Sequence, residues 1–283
     1  MDITSIELWT LPNSGISTRH ATLSLDPSAA QESYILKSAT GLDPDEILNQ
    51  FYAVRGTNLN PIKFYSLLPS ARIVTFNIKL NPNYAEARTP SNLRDTLYKM
   101  ISHDRTGDVQ IRLMNADVIV GVLNGFVTRF ESDLFNNDPT VTITFTCTHP
   151  FIRSLSRLEI GPSLSFPSIQ FDDDISTAPH GFYMKIQLLS NISNPVIQGQ
   201  GDLPNASPFA ILYDFLADDI LYFISEPDAR ALYIERAGDV IHLVDRVSLN
   251  SIWPLVFPGH NNITVFFNAT IISFAHYLTY WGV

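Results

Sequence analysis

The sequence has little of what usually crosslinks a protein or draws it to charged partners. Its single cysteine, Cys147, excludes an intrachain disulfide. Charged residues make up only 16% of the 283 residues, and the net charge is −10 without any basic cluster. Affinity for nucleic-acid phosphates is therefore not expected to be the main function, and we predict no sequence-specific nucleic acid binding.

Segments that would carry the chain into or across a membrane are also missing. The opening residues, Met1-Asp2-Ile3-Thr4, lack the positive region and apolar core of a secretion signal. No apolar run is long enough to span a bilayer. We therefore expect no membrane insertion.

Signatures of catalysis are absent from the sequence. It contains no glycine-rich phosphate loop, no His-Glu-x-x-His and no Gly-x-Ser-x-Gly. The histidines stand singly, without the spacing of metal ligands, at His20, His103, His149, His180, His242, His260 and His276. Asp172-Asp173-Asp174 lacks the alternating ligands and the glycine of a calcium loop, so we interpret it as a solvated turn. We predict no catalytic residue, no cofactor and no metal site, and hence no enzyme.

Apolar residues, by contrast, are plentiful. The chain is 45% hydrophobic and 11% aromatic, and its length favours two domains with cores of their own. The sparse charge has two interpretations. It indicates either an ordinary β-rich protein with a Ser/Thr/Asn surface or a surface that partners cover.

Alternating apolar and polar residues predict a β-rich first half. Strands are expected over residues 72–80, 109–113, 118–130 and 140–147. In the last of these, Cys147 shares one face with Val141, Ile143 and Phe145, so it is predicted to be a small core residue rather than a nucleophile. Two helices are predicted, over 43–51 and over 89–101, each opening with a capping residue followed by proline.

A domain boundary is predicted near His149-Pro150-Phe151. Beyond it, short strands recur at the spacing of a β-sandwich, over residues 182–189, 210–216, 220–224, 231–235 and 240–244. Arg236-Ala237-Gly238-Asp239 predicts a tight hairpin turn between the last two.

Two stretches carry a more specific resemblance. The end of the chain reads Ser251-Ile252-Trp253-Pro254-Leu255, then Pro258-Gly259-His260-Asn261, and closes on Tyr280-Trp281-Gly282-Val283. The first half has a Gly125-x-Val127 strand, Glu131 before Phe135, and a strand that runs into Cys147-Thr148-His149-Pro150-Phe151, preceded by Leu93-Arg94-Asp95-x-Leu97-Tyr98. In this order the motifs resemble distal tail proteins (Dit) of long-tailed bacteriophages, over about residues 70–151 and 181–283.

The resemblance implies a mainly β fold with two domains. Residues 1–153 would form the belt-type β-sandwich with one or two helices, joined by a returning C-terminal segment, 269–283. Residues 154–268 would form a galectin-like β-sandwich. Such proteins form a homohexameric ring at the tail tip of the virion, between the tail tube protein and the tail hub or fibre protein, and dock receptor-binding or other baseplate proteins.

Seven residues are predicted to be structural anchors: Cys147, Pro150, Phe151, Trp253, Pro254, Tyr280 and Trp281. Large aromatics at a chain end suggest a docked terminus, and we expect Tyr280 and Trp281 to pack on the first domain. Trp253 is a candidate sugar platform, but we favour a core anchor because the galectin pattern His-x-Asn-x-Arg with Trp-x-x-Glu-x-Arg is missing. Two alternatives stay open: a glycan-binding sandwich that recognises a host surface directly, and a glycoside-processing enzyme.

Overall fold

The computed structural model describes residues 2–11, 17–29, 31–43, 71–86, 88–100, 108–135, 137–147, 149–160, 168–200, 208–226, 229–249 and 251–282. Over these residues the protein is mainly β, with twenty-one strands and one α-helix. It divides into two compact units, one of Met1–Leu155 with Trp281–Val283 and one of Ser156–Tyr280. All but the first residue of the predicted helix over 43–51 lies outside the described residues.

Within the described ranges, the first unit contains eight strands and the helix. They are β1 (Ser5–Leu11), β2 (Thr18–Ser24), β3 (Tyr34–Thr40), β4 (Arg72–Leu80), α1 (Pro90–Tyr98), β5 (Asp108–Asn115), β6 (Val118–Asp133), β7 (Thr140–Cys147) and β8 (Ile152–Arg153). The predicted strands of this half are all confirmed. The second predicted helix is confirmed too, with Thr89 accepting a hydrogen bond from Asn92 N as its cap.

Seven of these strands close into a barrel, in the order β6-β5-β1-β2-β3-β4-β7 and back to β6. Closure depends on β6, whose 16 residues pair with β5 over their first half and with β7 over their second. Gly125 stands at the changeover, opposite both Val109 and Cys147. A Cβ there would lie 2.3 Å from Thr146 O, so only glycine lets the two backbones approach this closely. The resemblance implied a β-sandwich for this unit. The continuous β6 instead closes the strands into one barrel.

The barrel core comes from strict alternation along its strands. In β7, Val141, Ile143, Phe145 and Cys147 are all fully buried. The intervening threonines point away from the core, and the Oγ1 of Thr144 lies 3.2 Å from that of Thr75 on the neighbouring strand. The two-residue period of the sequence therefore fixes which side of each strand is inside.

The second unit contains the remaining strands. They are β9 (Leu158–Ile160), β10 (Ser168–Asp173), β11 (Phe182–Leu188), β12 (Ile192–Ser193), β13 (Val196–Gln200), β14 (Phe209–Ala210), β15 (Asp214–Phe215), β16 (Ile220–Ile224), β17 (Ala231–Arg236), β18 (Asp239–His242), β19 (Gly259–Val265), β20 (Ala269–His276) and β21 (Thr279–Tyr280). A six-stranded sheet, β18-β17-β16-β11-β20-β9, and a four-stranded sheet, β10-β19-β13-β14, contribute to one hydrophobic core.

The structure of this unit confirms one local prediction and contradicts two others. The hairpin turn is confirmed, with Ala237 and Gly238 at φ 52° and 92° as a type I′ turn requires. The single strand predicted over 210–216 is wrong, because β14 and β15 pair with different partners. The solvated turn predicted at Asp172-Asp173-Asp174 is also wrong: the first two of these residues end β10, and Asp173 is buried.

The pairing of β20 assigns this strand to the second unit. β20 lies in the six-stranded sheet of the second unit, between β11 and β9, whereas the resemblance placed residues 269–283 with the first domain. Only Trp281–Val283 fall with the first unit. The strand stays in the second unit because its apolar residues, such as Ile271 and Phe274, complete that unit's core.

Candidate functional site

Four of the predicted anchors lie in the first unit, and one of them, Trp281, belongs to its C-terminal return. The indole of Trp281 meets the ring of Phe151 edge to face, with centroids 4.8 Å apart. Its carbonyl accepts a hydrogen bond from Nη2 of Arg72. Arg72 is only 2% exposed, and its Nη1 donates to Leu42 O over 3.1 Å. The buried guanidinium of Arg72 thus joins the start of β4 to the last residues of the chain.

Cys147 and Pro150 complete this region. Cys147 stands opposite Arg72 in the pairing of β4 with β7 and is fully buried. Burial raises the pKa of the Cys147 thiol to about 11, although the charge of Arg72 acts in the opposite direction. The thiol is therefore protonated at neutral pH and unsuited to nucleophilic attack. Pro150 lies between His149 and Phe151, where the backbone N–H of Phe151 donates to Nδ1 of His149 over 3.3 Å.

Trp253 and Pro254 lie in the second unit. The indole of Trp253 packs on Phe209 and Phe223, with centroid separations of 4.7 and 5.3 Å. The guanidinium of Arg230 lies 5.7 Å from the indole centroid. Pro254 is buried against Gly199, where a Cβ would approach the proline Cβ to 2.8 Å. These contacts engage the indole inside the protein, which favours the core anchor over a sugar platform.

Sequence reasoning missed a buried polar cluster made of Asp173, His180 and His276. All three residues are less than 5% exposed, and one ligand atom from each lies within 4.8 Å of the others. Nε2 of His180 is 2.8 Å from Nδ1 of His276 and 3.5 Å from Oδ2 of Asp173. The three positions are scattered along the sequence, so no spacing motif could have revealed them.

The elements of the second unit hold the cluster in place. Asp173 is the last residue of β10, and its Oδ1 accepts a hydrogen bond from Ser176 N over 3.0 Å. His276 is the last residue of β20, and its ring stacks on Phe171 with centroids 5.4 Å apart. Nδ1 of His180 lies 3.1 Å from Ala178 O. Each ligand side chain is thus oriented by a neighbour of its own.

The electrostatics of the cluster favour a neutral imidazole at His276. Burial lowers the pKa of His276, against the opposing effect of the Asp173 carboxylate. Burial also raises the pKa of the predicted anchor Tyr280, and the charge of Asp173 raises it further. A buried carboxylate therefore acts on both of these side chains.

A row of polar aromatic residues lies on the outer face of the six-stranded sheet. Tyr222 and Tyr233 stack with centroids 4.7 Å apart, and Nζ of Lys185 is 5.0 Å from the Tyr222 centroid. His242 continues the row beside Tyr233. These residues alternate with core residues along β11, β16 and β17, so they face away from the core.

Comparison with solved structures identifies the class of fold. It is a fold that a solved bacteriophage tail protein shares. The chain is similar to Dit (gp 19.1) of phage SPP1, described as a paradigm of the hub adsorption apparatus in phages that infect Gram-positive bacteria, with a TM-score of 0.56 and 12% identity over 96% of this chain and 98% of that one. The resemblance to Dit is therefore confirmed at the level of the fold.

Other comparisons give weaker similarity or none. Chains of the phage p2 baseplate in its activated conformation, with strontium and with calcium, match at a TM-score of 0.47 and 8% identity over 99% of both chains. No protein-family model matches the sequence, and no curated protein does. Within the described ranges no helix is both long and apolar enough to cross a membrane.

Proposed function

We propose that this chain is a structural protein of a bacteriophage tail tip and not an enzyme. The observation that carries the proposal is the extent of the shared fold, which covers 96% of the chain and therefore both units. In the virion the protein would form a homohexameric ring between the tail tube protein and the hub or fibre protein.

We assign a different role to each unit. The first unit would be the belt that forms the ring, because a closed barrel leaves few sheet edges to control and presents its hairpins to neighbours. The second unit would be the galectin-like sandwich that docks receptor-binding or other baseplate proteins. The sparse charge of the chain, 16%, suits surfaces that partners cover.

Two exposed apolar hairpin tips in the first unit support a ring built from unlike patches. Phe135, just beyond β6, is fully exposed, and Val118 at the start of β6 is 64% exposed. The 16-residue strand between them spans at most about 50 Å. Exposed apolar side chains at opposite ends of one strand fit a head-to-tail contact, which closes into a ring when the rotation allows.

The test is the mass and shape of the purified full-length chain. Six copies of the 31.7 kDa chain should appear as one species by light scattering and as rings by negative stain. Phe135→Ser should reduce the rings to smaller species. Leu249→Ser is the matched control, because Leu249 is as fully exposed but lies in the second unit. A stable monomer at tens of micromolar from the wild-type chain would contradict the ring.

The outer aromatic row favours one second candidate, a sandwich that recognises a host glycan directly. Sugar rings pack on tyrosine faces and hydrogen-bond to groups such as Glu235, which accepts from the Tyr222 hydroxyl over 3.1 Å. Calorimetric titration with cell-wall polysaccharide tests it. Binding that is lost in Tyr233→Ala and kept in Trp253→Phe would support this candidate; equal binding by both variants would exclude the row as the site.

A further inference from the structure

We propose that Asp173, His180 and His276 form a binding site for one divalent transition-metal ion, with zinc as the best fit. The ion would tie the two sheets of the second unit together, since Asp173 ends a strand of the four-stranded sheet and His276 ends a strand of the six-stranded sheet. The proposal stands on the cluster itself and is independent of the tail-tip assignment.

The cluster holds more hydrogen-bond acceptors than protons to serve them. Nδ1 of His180 lies 3.1 Å from the carbonyl of Ala178, which can only accept, so Nδ1 carries a proton and the neutral form of the ring has its lone pair on Nε2. That lone pair faces His276 Nδ1 and Asp173 Oδ2, and Tyr277 O lies 3.3 Å from the same Nδ1. A single proton on His276 Nδ1 cannot be donated to His180 Nε2, Asp173 Oδ2 and Tyr277 O at once. A cation placed among these atoms could be bound by all of them.

One carboxylate oxygen of the cluster lacks a hydrogen-bond partner. Oδ2 of Asp173 is buried without a hydrogen-bond partner, while Oδ1 is occupied by Ser176 N. An ionised oxygen buried without a donor is strongly unfavourable. Oδ2 points toward the two imidazoles, so a metal ion bound among them would supply the missing positive charge.

The donor set selects the metal. Two imidazole nitrogens and one carboxylate oxygen suit zinc and its neighbours, whereas calcium and magnesium prefer oxygen ligands throughout. Nitrogens on one tetrahedral zinc ion lie about 3.3 Å apart. The present separation of 2.8 Å is shorter, so the imidazoles would move apart slightly on binding. Tyr277 O or a water could take the fourth position.

The surroundings already resemble a metal site's outer shell. The Ala178 carbonyl fixes the orientation of His180, the Ser176 N–H holds the Asp173 carboxylate, and Phe171 supports the His276 ring. The site is closed, because all three ligands are almost fully buried. A closed site of this kind is structural rather than catalytic.

The experiment uses the full-length chain, first stripped with a chelator and then dialysed. Titration with Zn²⁺ should end at a single ion per chain and raise the unfolding temperature. Co²⁺ should give the visible absorption of a tetrahedral nitrogen–oxygen site. Asp173→Asn keeps the size of the side chain and an oxygen to accept from Ser176 N. It should weaken zinc binding by more than the roughly 10–100-fold that outer-shell changes cost.

An exposed pair provides the matched control. Nδ1 of His260 lies 2.7 Å from Oδ1 of Asp172, beside the cluster but open to solvent. His260→Gln should leave zinc stoichiometry and affinity unchanged. If the wild-type chain binds no zinc, or if Asp173→Asn binds it as tightly, the cluster is a hydrogen-bonded network and the proposal is overturned. If His260→Gln abolishes binding instead, the metal belongs to the exposed pair and the proposal also fails.

Discussion

The two units fill their cores with different side chains. Among the described residues the first unit buries three phenylalanines, and aliphatic side chains fill most of the rest. The second unit buries six, and Phe182, Phe209, Phe223 and Phe274 form a chain of ring contacts that reaches Trp253. A closed barrel offers a narrow interior, whereas facing sheets stand about 10 Å apart and accommodate rings.

Their buried polar groups differ as well. In the first unit the buried Arg72 joins distant parts of the chain through backbone carbonyls. In the second unit the buried carboxylates of Asp219 and Glu226 pair with Arg236 and Arg157 in forked hydrogen bonds.

The largest expected effect is in the aromatic core of the second unit. Phe223→Ala removes a fully buried ring that contacts Phe182, Phe209 and Trp253, and should cost about 3–5 kcal/mol of unfolding free energy. Denaturant unfolding followed by hydrogen exchange measures the loss in each unit. Leu249→Ala, at a solvent-exposed site, is the control and should change little. A loss below about 1 kcal/mol would mean that the rings are not the main support of this core.

The C-terminal return should matter next. Trp281→Ala removes the edge-to-face contact with Phe151 and should destabilise the first unit by about 2 kcal/mol, less than a fully buried ring because Trp281 is only half-buried. Thermal unfolding gives the value. Trp281→Phe retains an aromatic ring and should lose less stability than Trp281→Ala. An unchanged midpoint in Trp281→Ala would refute a stabilising role for the chain's end.

The ion pair of Asp219 with Arg236 should have a smaller, pH-dependent effect. Burial raises the pKa of Asp219, but hydrogen bonds from Arg236 and Leu216 N outweigh it and leave the pKa lowered. Its stabilising contribution is therefore complete above the unfolded value of about 4 and disappears as the pH falls through the lower folded value.

Asp219→Asn should cost about 1–2 kcal/mol near neutral pH and remove this part of the acid sensitivity. Unfolding midpoints between about pH 2 and pH 7 test the prediction. Glu131→Gln is the control, since its pair with Arg129 is exposed on both sides and should contribute little. Parallel pH profiles for wild type and Asp219→Asn would contradict the role of the pair.

The smallest expected effect is on the rate at which Cys147 reacts with a thiol reagent. Cys147 is the chain's only cysteine and lies inside the barrel, so its reaction with a thiol reagent reports opening of the first unit alone. Since its pKa is about 11, the folded thiol should be nearly inert at about pH 8. Trp281→Ala should speed labelling and Phe223→Ala should not. Faster labelling in both variants would show that the two units open together.

Signals in the sequence predict several local elements of the structure. Alternation predicted β4 and β7 and the burial of Cys147's face; Thr89 and Pro90 predicted the start of α1; Ala237-Gly238 predicted the hairpin. These signals are local because strand pleat, helix caps and turns depend on neighbouring residues. The motifs resembling Dit added the class of fold.

Which distant residues meet depends on the tertiary structure. The sequence predicts a strand over 118–130 but not its neighbours, and the pairing of β6 with both β5 and β7 closes the barrel at Gly125. His180 and His276 are 96 positions apart and meet because β20 runs beside β11. Periodicity shows which face of a strand is buried but carries no information on its partner, since pairing depends on backbone groups that every sequence shares.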